Sequence, residues 1–169
     1  MPVRILIADD NEIARALLRD VLKARPEWVI CGEAFDGKEA IQKALELKPD
    51  VILMDLAMPN MDGITAARGI RKLLPQTSVL LVSLHNIPQM ELMAKAAGIE
   101  RVVIKSEADT ALVLAIEATL NERAASAAGK AEAATAGTTQ LASGSAAETS
   151  GKGIPGSEPE EENGGPQAN

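Results

Sequence analysis

Short apolar runs alternate with amphipathic stretches along the first 123 residues of the chain. Continuous apolar runs are typical of strands that are buried on both sides. Five such runs predict strands over residues 3–8, 28–34, 51–54, 78–82 and 101–104. Each run is followed by apolar residues at helical spacing, which predicts a helix. Strands that alternate with helices indicate a parallel sheet with helices on both faces.

Residues that begin helices occur where this pattern requires them. Asn11 is placed to cap the first helix, and Asp36 with Glu39 has the spacing of a capping box for the second. A third helix is predicted over 63–74. The first helix is expected to pack on the sheet through a stripe formed by Ile13, Leu17 and Val21.

The last two helices have similar signals. Pro88 suits the first turn of the fourth helix, and Gly98 suits its C-terminal cap. Ser106 and Asp109 are expected to open the fifth helix. The inward face of this fifth helix is predicted to consist of Leu112, Ala115, Ile116, Thr119 and Leu120.

Five βα units in about 120 residues predict a doubly wound, flavodoxin-like α/β fold with a five-stranded parallel sheet in the order 2-1-3-4-5 and five helices. In such a sheet, sites form beyond the carboxyl ends of the strands. Asp9 and Asp10 follow strand 1 and Asp55 follows strand 3. Ser83 and Lys105 follow strands 4 and 5. These five polar residues are therefore expected to converge.

Clustered carboxylates are costly to keep ionised without a cation, and oxygen ligands suit Mg²⁺ rather than Zn²⁺. Asp9, Asp10 and Asp55 therefore predict a magnesium site. A Ser–His–acid or Cys–His arrangement is not convincing, because His85 is the only histidine and Cys31 lies in another part of the predicted sheet. A carboxylate can instead attack a phosphoryl group, and Asp55, on the central strand, suits that role.

The composition of the chain changes near Arg123. Residues 124–169 are almost wholly Ala, Gly, Ser, Thr, Glu and Pro, and their only large apolar side chains are Leu141 and Ile154. Such a segment buries too little surface to offset the entropy of ordering it. We predict a folded domain over 1–123 and a disordered, acidic tail over 124–169, whose Ala-rich part, 124–136, could extend the last helix by a few turns.

The charge of the chain excludes some partners. The formal charge of −7 divides into −3 for residues 1–123 and −4 for the rest, so neither nucleic acid nor an anionic membrane is an expected partner. No apolar run approaches the length of a membrane span, and we expect no signal peptide. Cys31 is the single cysteine, which fits a reducing cytoplasm.

Four segments, "ILIADDNE", "ILMDLAMPNMDG", "LLVSLH" and "VVIKSE", carry these candidate residues. In this order and spacing they resemble the receiver domains of two-component response regulators, over residues 3 to about 121. The stretch "GEAFDGKEAIQKALELKPDVILMDLAMPNMDGITA" is most similar to receivers of the NarL/FixJ type, which precede a helix-turn-helix output domain. No second hydrophobic pattern follows the receiver here, so we expect a stand-alone regulator.

The resemblance implies a role for each candidate residue. Asp55 is implied as the phosphoacceptor, Ser83 as the switch hydroxyl and Lys105 as the partner of the phosphoryl group. The implied Mg²⁺ ligands are the side chains of Asp9, Asp10 and Asp55 and the backbone carbonyl of Ala57. The implied partners are a sensor histidine kinase or a phosphotransfer protein, and a downstream protein that binds the face of helix 4, strand 5 and helix 5.

Two positions bear on how such a switch would work. Val102 stands where many receivers have an aromatic residue three positions before the lysine, so a smaller rearrangement is expected on activation. His85 is predicted to lie at the entrance to the acceptor and to influence dephosphorylation.

Two other functions stay open from the sequence. One is a receiver-like scaffold that binds partners without phosphorylation. The other is an aspartyl-phosphate phosphatase of the haloacid-dehalogenase type, which needs an acid where this chain has Ala57. In the favoured interpretation the chain is not an enzyme, because it catalyses only its own phosphorylation and dephosphorylation.

Overall fold

The structure is a computed structural model that describes residues 1–84 and 88–138, with side chains described for 1–84 and 89–129. The strands are β1 (Val3–Ala8), β2 (Trp28–Ala34), β3 (Val51–Asp55), β4 (Ser78–Ser83) and β5 (Arg101–Ile104). The helices are α1 (Glu12–Leu22), α2 (Gly37–Leu47), α3 (Gly63–Leu73), α4 (Pro88–Ala97) and α5 (Ala108–Thr138), and a 3₁₀ turn over Lys105–Glu107 precedes α5.

The five strands form one parallel sheet in the order β2-β1-β3-β4-β5, which confirms the predicted flavodoxin-like fold. Three strands begin and end at the predicted residues, and β3 and β4 each continue one residue further, to Asp55 and Ser83. The extra residue matters because Asp55 and Ser83 are then the last residues of two interior strands of the sheet. The edge pair β1–β2 has a register shift at Cys31, where pairing passes from Ile5–Ile30 to Leu6–Gly32.

Each face of the sheet is covered by helices, because neighbouring strand residues point to opposite faces. One face buries Leu6, Ile52 and Leu81 against apolar residues of α2, α3 and α4. The other face buries Ile5, Leu53 and Leu80 with apolar residues of α1 and α5. The predicted inward face of α5 agrees with this packing, since Leu112 and Ile116 are fully buried.

The predicted inward stripe of α1 is wrong at Ile13 and Leu17, while its third residue, Val21, is partly buried against the core. Ile13 and Leu17 are 73% and 62% exposed, whereas Leu18, Leu22 and Arg15 are buried. Two stripes of apolar residues lie side by side on this helix, and the helical period alone does not distinguish them. The true stripe begins with an arginine, which a pattern of apolar positions assigns to the outside.

The caps predicted for α1 and α2 and the glycine predicted at the end of α4 are present, whereas α5 begins at Ala108, so that Ser106 lies in the preceding 3₁₀ turn and Asp109 lies inside the helix. Asn11 accepts two amide hydrogen bonds from the first turn of α1, at 2.9 and 3.2 Å. Asp36 accepts the amide of Glu39 at 2.8 Å, and the Glu39 carboxylate accepts the amide of Phe35 at 2.7 Å. Gly98 has a φ of +79°, a left-handed conformation that glycine adopts readily at the end of a helix.

Helix α5 continues past the predicted domain boundary at Arg123 and ends at Thr138. Residues 124–138, which we assigned to the disordered tail with an option of a few helical turns, are therefore helical. A first compact unit spans Met1–Ala131, and of a second, Glu132–Asn169, the structure describes only 132–138. Residues 139–169, the rest of the predicted tail, lie outside the described residues, so their disorder stays a prediction.

Candidate functional site

The six predicted site residues line one cleft at the carboxyl end of the sheet. Asp9 and Asp10 follow β1, Asp55 and Ser83 end β3 and β4, and Lys105 follows β5. With Ala57, these residues line a cleft of about 590 Å³, which we call the acidic cleft. His85, the predicted entrance residue, lies outside the described residues.

Three carboxylates meet at the floor of the acidic cleft. One oxygen each of Asp9, Asp10 and Asp55 lies within 4.8 Å of the other two. Asp9 and Asp55 are only 1% and 7% exposed, whereas Asp10 is exposed. The sheet topology explains this arrangement, because β1 and β3 are neighbours in the sheet although the 42 residues 9–50 lie between them in the chain.

Among the described residues that line the acidic cleft, Lys105 is the one with a positively charged side chain. Its Nζ lies 2.6 Å from Asp9 Oδ2 and 2.7 Å from Asp55 Oδ1. The other oxygen of each carboxylate accepts a backbone amide, Asp9 Oδ1 from Asn11 and Asp55 Oδ2 from Ala57, both at 2.9 Å. Asp9 Oδ2 is buried and has the ion pair with Lys105 but no hydrogen bond of good geometry.

The described residues of the acidic cleft carry more negative than positive charge, with three carboxylates and one ammonium group. Burial raises the pKa of Asp55, although the hydrogen bond and charge of Lys105 act to lower it. Burial acts to lower the pKa of Lys105, but the hydrogen bonds and charges of Asp55 and Asp9 outweigh it, so this pKa is raised. Lys105 thus stays protonated and compensates only part of the carboxylate charge.

These residues fit a bound Mg²⁺ ion. All the side-chain donors are carboxylate oxygens, which Mg²⁺ prefers, and the buried Asp9 Oδ2 has Lys105 as its one partner among the described residues. One ammonium faces three carboxylates, so a divalent cation would neutralise the remaining charge.

The loop after β3 folds back on Asp55, and Gly63 allows this close approach. A Cβ at Gly63 would lie 2.0 Å from the carbonyl oxygen of Asp55, so a side chain does not fit there. The Gly63 amide donates to the carbonyl of Leu56 at 2.9 Å. Asp62 caps α3 by accepting the amide of Thr65 at 2.9 Å, a cap that the sequence prediction did not assign.

The acidic cleft has a buried polar residue, Ser83, in its lining and exposed apolar residues at its rim. Ser83 is buried at the end of β4 and lines the cleft. The rim includes Ile13 and Leu17 of α1 and Leu84 after β4, all of which are exposed. An apolar rim therefore surrounds a charged floor.

Arg15 contacts this site and was missed in the sequence prediction. Its guanidinium is buried and donates to the backbone carbonyl of Asp9 at 2.8 Å. The only signal in the sequence is its spacing, three and seven residues before Leu18 and Leu22, on the stripe that packs on the sheet.

The sequence profile of the response regulator receiver domain matches residues 5–117, and the chain belongs to this family. The response regulator protein VraR of Staphylococcus saprophyticus is 35% identical over 121 residues, which are 72% of this chain and 58% of that protein. The protein-glutamate methylesterase/protein-glutamine glutaminase of Thermotoga maritima is 47% identical over 81 residues, 48% of this chain and 23% of that protein. The chain thus spans less than two thirds of either relative.

Solved structures agree with this assignment. A LuxR-family two-component response regulator from Aurantimonas is 36% identical, with a TM-score of 0.69 over 73% of this chain and 88% of that chain. The response regulator domain of Thermotoga maritima CheB is 34% identical, with a TM-score of 0.60 over 73% of this chain and 94% of that chain.

Receiver domains act as phosphorylation switches in two-component signalling and bind Mg²⁺ through acidic residues, and the cluster of Asp9, Asp10 and Asp55 matches that chemistry. None of the described helices has the length and apolarity needed to cross a bilayer.

Proposed function

We propose that Asp55 accepts a phosphoryl group from a phosphohistidine of a sensor histidine kinase or a phosphotransfer protein, and that the phosphorylated chain signals to a protein partner. One observation carries the proposal. Asp55 ends the central strand, pairs with Lys105 at 2.7 Å, and has two further carboxylates within metal-binding distance. This combination supplies a nucleophile, a cation and a metal site at one place.

Three carboxylates and one carbonyl would hold Mg²⁺ at the floor of the acidic cleft: Asp9, Asp10, Asp55 and the backbone carbonyl of Ala57. When bound there, the ion supplies positive charge that stabilises the phosphoryl oxygens. Lys105 supplies a second positive charge beside Asp55. Because it already pairs with Asp55, it needs little movement to pair with a phosphoryl group on that side chain.

The transfer itself is a displacement at phosphorus. A carboxylate oxygen of Asp55 attacks, the bond between phosphorus and the donor's imidazole nitrogen breaks, and its electron pair returns to that nitrogen. The amide of Ala57 orients the attacking carboxylate by its hydrogen bond to Oδ2. Ser83 is assigned to donate its hydroxyl to a phosphoryl oxygen of the product.

The apolar rim supports docking of a protein donor. Ile13 and Leu17 are exposed on α1 beside the acidic cleft, where none of the described residues buries them and a partner protein could. A donor that covers this rim would place its phosphohistidine next to Asp55. We further propose that donor and receiver meet in the cytoplasm, which suits the free thiol of Cys31.

The proposed output surface is the face of α4, β5 and α5. This face has an open groove of about 900 Å³ lined by residues that include Val102, Ala111 and Leu114. Phosphorylation adds about −1.5 to −2 charge at the carboxyl ends of β4 and β5. Since Val102 has no ring to swing inward, we propose that a protein partner recognises a small shift of this face. A nucleic acid is not the proposed partner, because the chain carries a net charge of −7.

Intact mass measurement during incubation with Mg²⁺ and acetyl phosphate tests the proposal. We expect one phosphoryl adduct that decays slowly and a phosphate release no faster than this decay. Sustained release far above adduct decay would instead indicate a phosphatase. Absence of any adduct would indicate a scaffold that works without phosphorylation.

A further inference from the structure

Arg15 is a charged residue on the core-facing side of α1, and it is 4% exposed. Its Nη1 donates to the carbonyl of Asp9 at 2.8 Å, and its Nε donates to Glu33 at 2.9 Å. Its Nη2 pairs with Glu12. The ring centroid of Phe35 lies 4.4 Å from the guanidinium carbon and covers one face of it. A buried guanidinium is tolerated only when its donors are satisfied in this way.

The contact with Asp9 is the one that reaches the acidic cleft. Because the peptide unit is planar, a hydrogen bond to the Asp9 carbonyl fixes the plane that joins Asp9 to Asp10. The Asp9 side chain is held separately, by the Asn11 amide and by Lys105. Among the described residues, none holds the exposed Asp10 side chain by a hydrogen bond or an ion pair, so its position depends on the backbone that Arg15 holds.

We propose that Arg15 is a positioning residue for the metal site: it fixes the Asp9–Asp10 peptide so that both carboxylates face a bound Mg²⁺. The proposal rests on the magnesium site of the proposed function. Groups that orient metal ligands commonly change metal affinity when they are replaced.

The direction in which Mg²⁺ affinity changes when Arg15 is replaced distinguishes a positioning role from a purely electrostatic one. A positive charge beside a cation site repels the cation, so removal of Arg15 would strengthen Mg²⁺ binding if charge alone mattered. If Arg15 positions the ligands, its removal weakens binding. Lysine at this position would keep the charge but lose the planar fork that reaches Asp9 and Glu33 together.

Arg19 offers a matched control on the same helix. It pairs with Glu12 at 2.9 Å and with Glu33 at 2.7 Å, the same two glutamates that Arg15 contacts. None of its hydrogen bonds among the described residues goes to Asp9. Arg19→Gln therefore removes the same charge from the same ion-pair network and leaves the Asp9 carbonyl bond in place.

Mg²⁺ titration of the full chain by calorimetry tests the proposal on wild type, Arg15→Gln, Arg15→Lys, Arg19→Gln and Asp10→Ala. We expect Arg15→Gln and Arg15→Lys to weaken Mg²⁺ binding by roughly tenfold, and Arg19→Gln to stay within about twofold of wild type because the Asp9 contact remains. Thermal unfolding in EDTA checks that each variant is folded, and Arg15→Lys decides the matter if Arg15→Gln does not fold.

Wild-type or tighter Mg²⁺ affinity in folded Arg15→Lys would overturn the positioning role and leave the metal site standing. An equal loss in Arg19→Gln would also overturn it, because the effect would then belong to the ion-pair network. No Mg²⁺ binding by wild type, or binding that Asp10→Ala does not weaken, would overturn the metal site itself and the positioning role with it.

Discussion

Asp55 combines a buried position with a charge that its neighbours compensate only in part. Burial raises the pKa of its carboxyl group, while Lys105 acts in the opposite direction. The nearby Asp9 adds a like charge that raises the pKa further. The ionised carboxylate is thus less stable in the folded chain than in water, which favours any event that offsets its charge, such as the approach of a cation.

Replacement of Asp55 by Asn is expected to stabilise the fold. Because the folded-state pKa of Asp55 is raised, its ionisation destabilises the folded state as pH rises through that pKa, and the effect is absent below the unfolded value of about 3.9. Asp55→Asn should therefore raise the melting temperature at pH 7 by about 2–5 °C. The gain should shrink towards pH 4. Circular dichroism melts in Mg²⁺-free buffer measure both effects, and a lower melting temperature at pH 7 would contradict them.

Five of the residues that line the acidic cleft were predictable because each is a polar residue at the end of an apolar run, whereas Ala57 followed only from the family resemblance. Asp9, Asp55 and Lys105 follow from that pattern and from the order of the strands. Arg15 was not predictable in this way, since a pattern of apolar and polar positions assigns charged residues to the surface. Its burial depends on two acceptors, Asp9 after β1 and Glu33 in β2, that come together only in the folded chain.

The elements differ in how clearly the sequence encodes them. The strands are encoded well, because continuous apolar runs are buried on both faces whatever the exact register. Helix α1 is encoded ambiguously, because the stripe through Leu18 and Leu22 and the stripe through Ile13 and Leu17 have the same period. The exposed stripe, Ile13 and Leu17, forms part of the rim of the acidic cleft. The residues that were wrongly predicted to face the core are therefore the ones proposed to bind the phosphoryl donor.

The start of α3 depends on a glycine. In Gly63→Ala the new methyl group would meet the Asp55 carbonyl oxygen at 2.0 Å, a backbone atom that cannot move without displacing Asp55. We expect a loss of about 3 kcal/mol in the free energy of unfolding and slower phosphorylation. Gly129→Ala on α5 is the control, because nothing lies within 4 Å of its added Cβ. This control should be neutral or gain up to about 1 kcal/mol in urea unfolding, and equal stability of the two variants would contradict the steric argument.

The exposed stripe of α1 is expected to affect transfer from a protein donor alone. Leu17→Ser removes apolar surface from the rim without changing the acidic cleft floor. Transfer from a phosphohistidine-bearing phosphotransfer domain should slow by roughly tenfold, the scale of one contact of about 1.4 kcal/mol. Uptake from acetyl phosphate should not change. Leu73→Ser, an exposed leucine on α3, is the control, and an equal slowing in that variant would contradict a docking role for the rim.

At the scale of the whole molecule, the receiver fold ends within the long helix α5. The family match ends at residue 117 and the first compact unit ends at Ala131, while the helix itself continues to Thr138. Composition predicted a change near Arg123, because large apolar residues become rare there. The helix continues further because alanine stabilises it without any core to pack on.

Truncation after Ala131 tests whether the receiver is complete without the tail. The acidic cleft and both faces of the sheet are formed by residues before this point. The truncated chain should therefore take up phosphoryl groups from acetyl phosphate at the rate of the full chain, as followed by intact mass. A truncated chain that is folded but takes up phosphate several times more slowly would show that the tail contributes to the switch.

The most direct test of the central claim is the site of phosphorylation. Wild type, Asp55→Asn and Asp62→Asn are incubated with Mg²⁺ and acetyl phosphate, and the intact mass of each is followed over time. Asp62 is a matched control, because it is an exposed aspartate on the same loop and asparagine caps a helix equally well. We predict one phosphoryl group on wild type and Asp62→Asn, and none on Asp55→Asn. A phosphoryl group on folded Asp55→Asn at the wild-type rate would contradict the assignment of Asp55 as the acceptor.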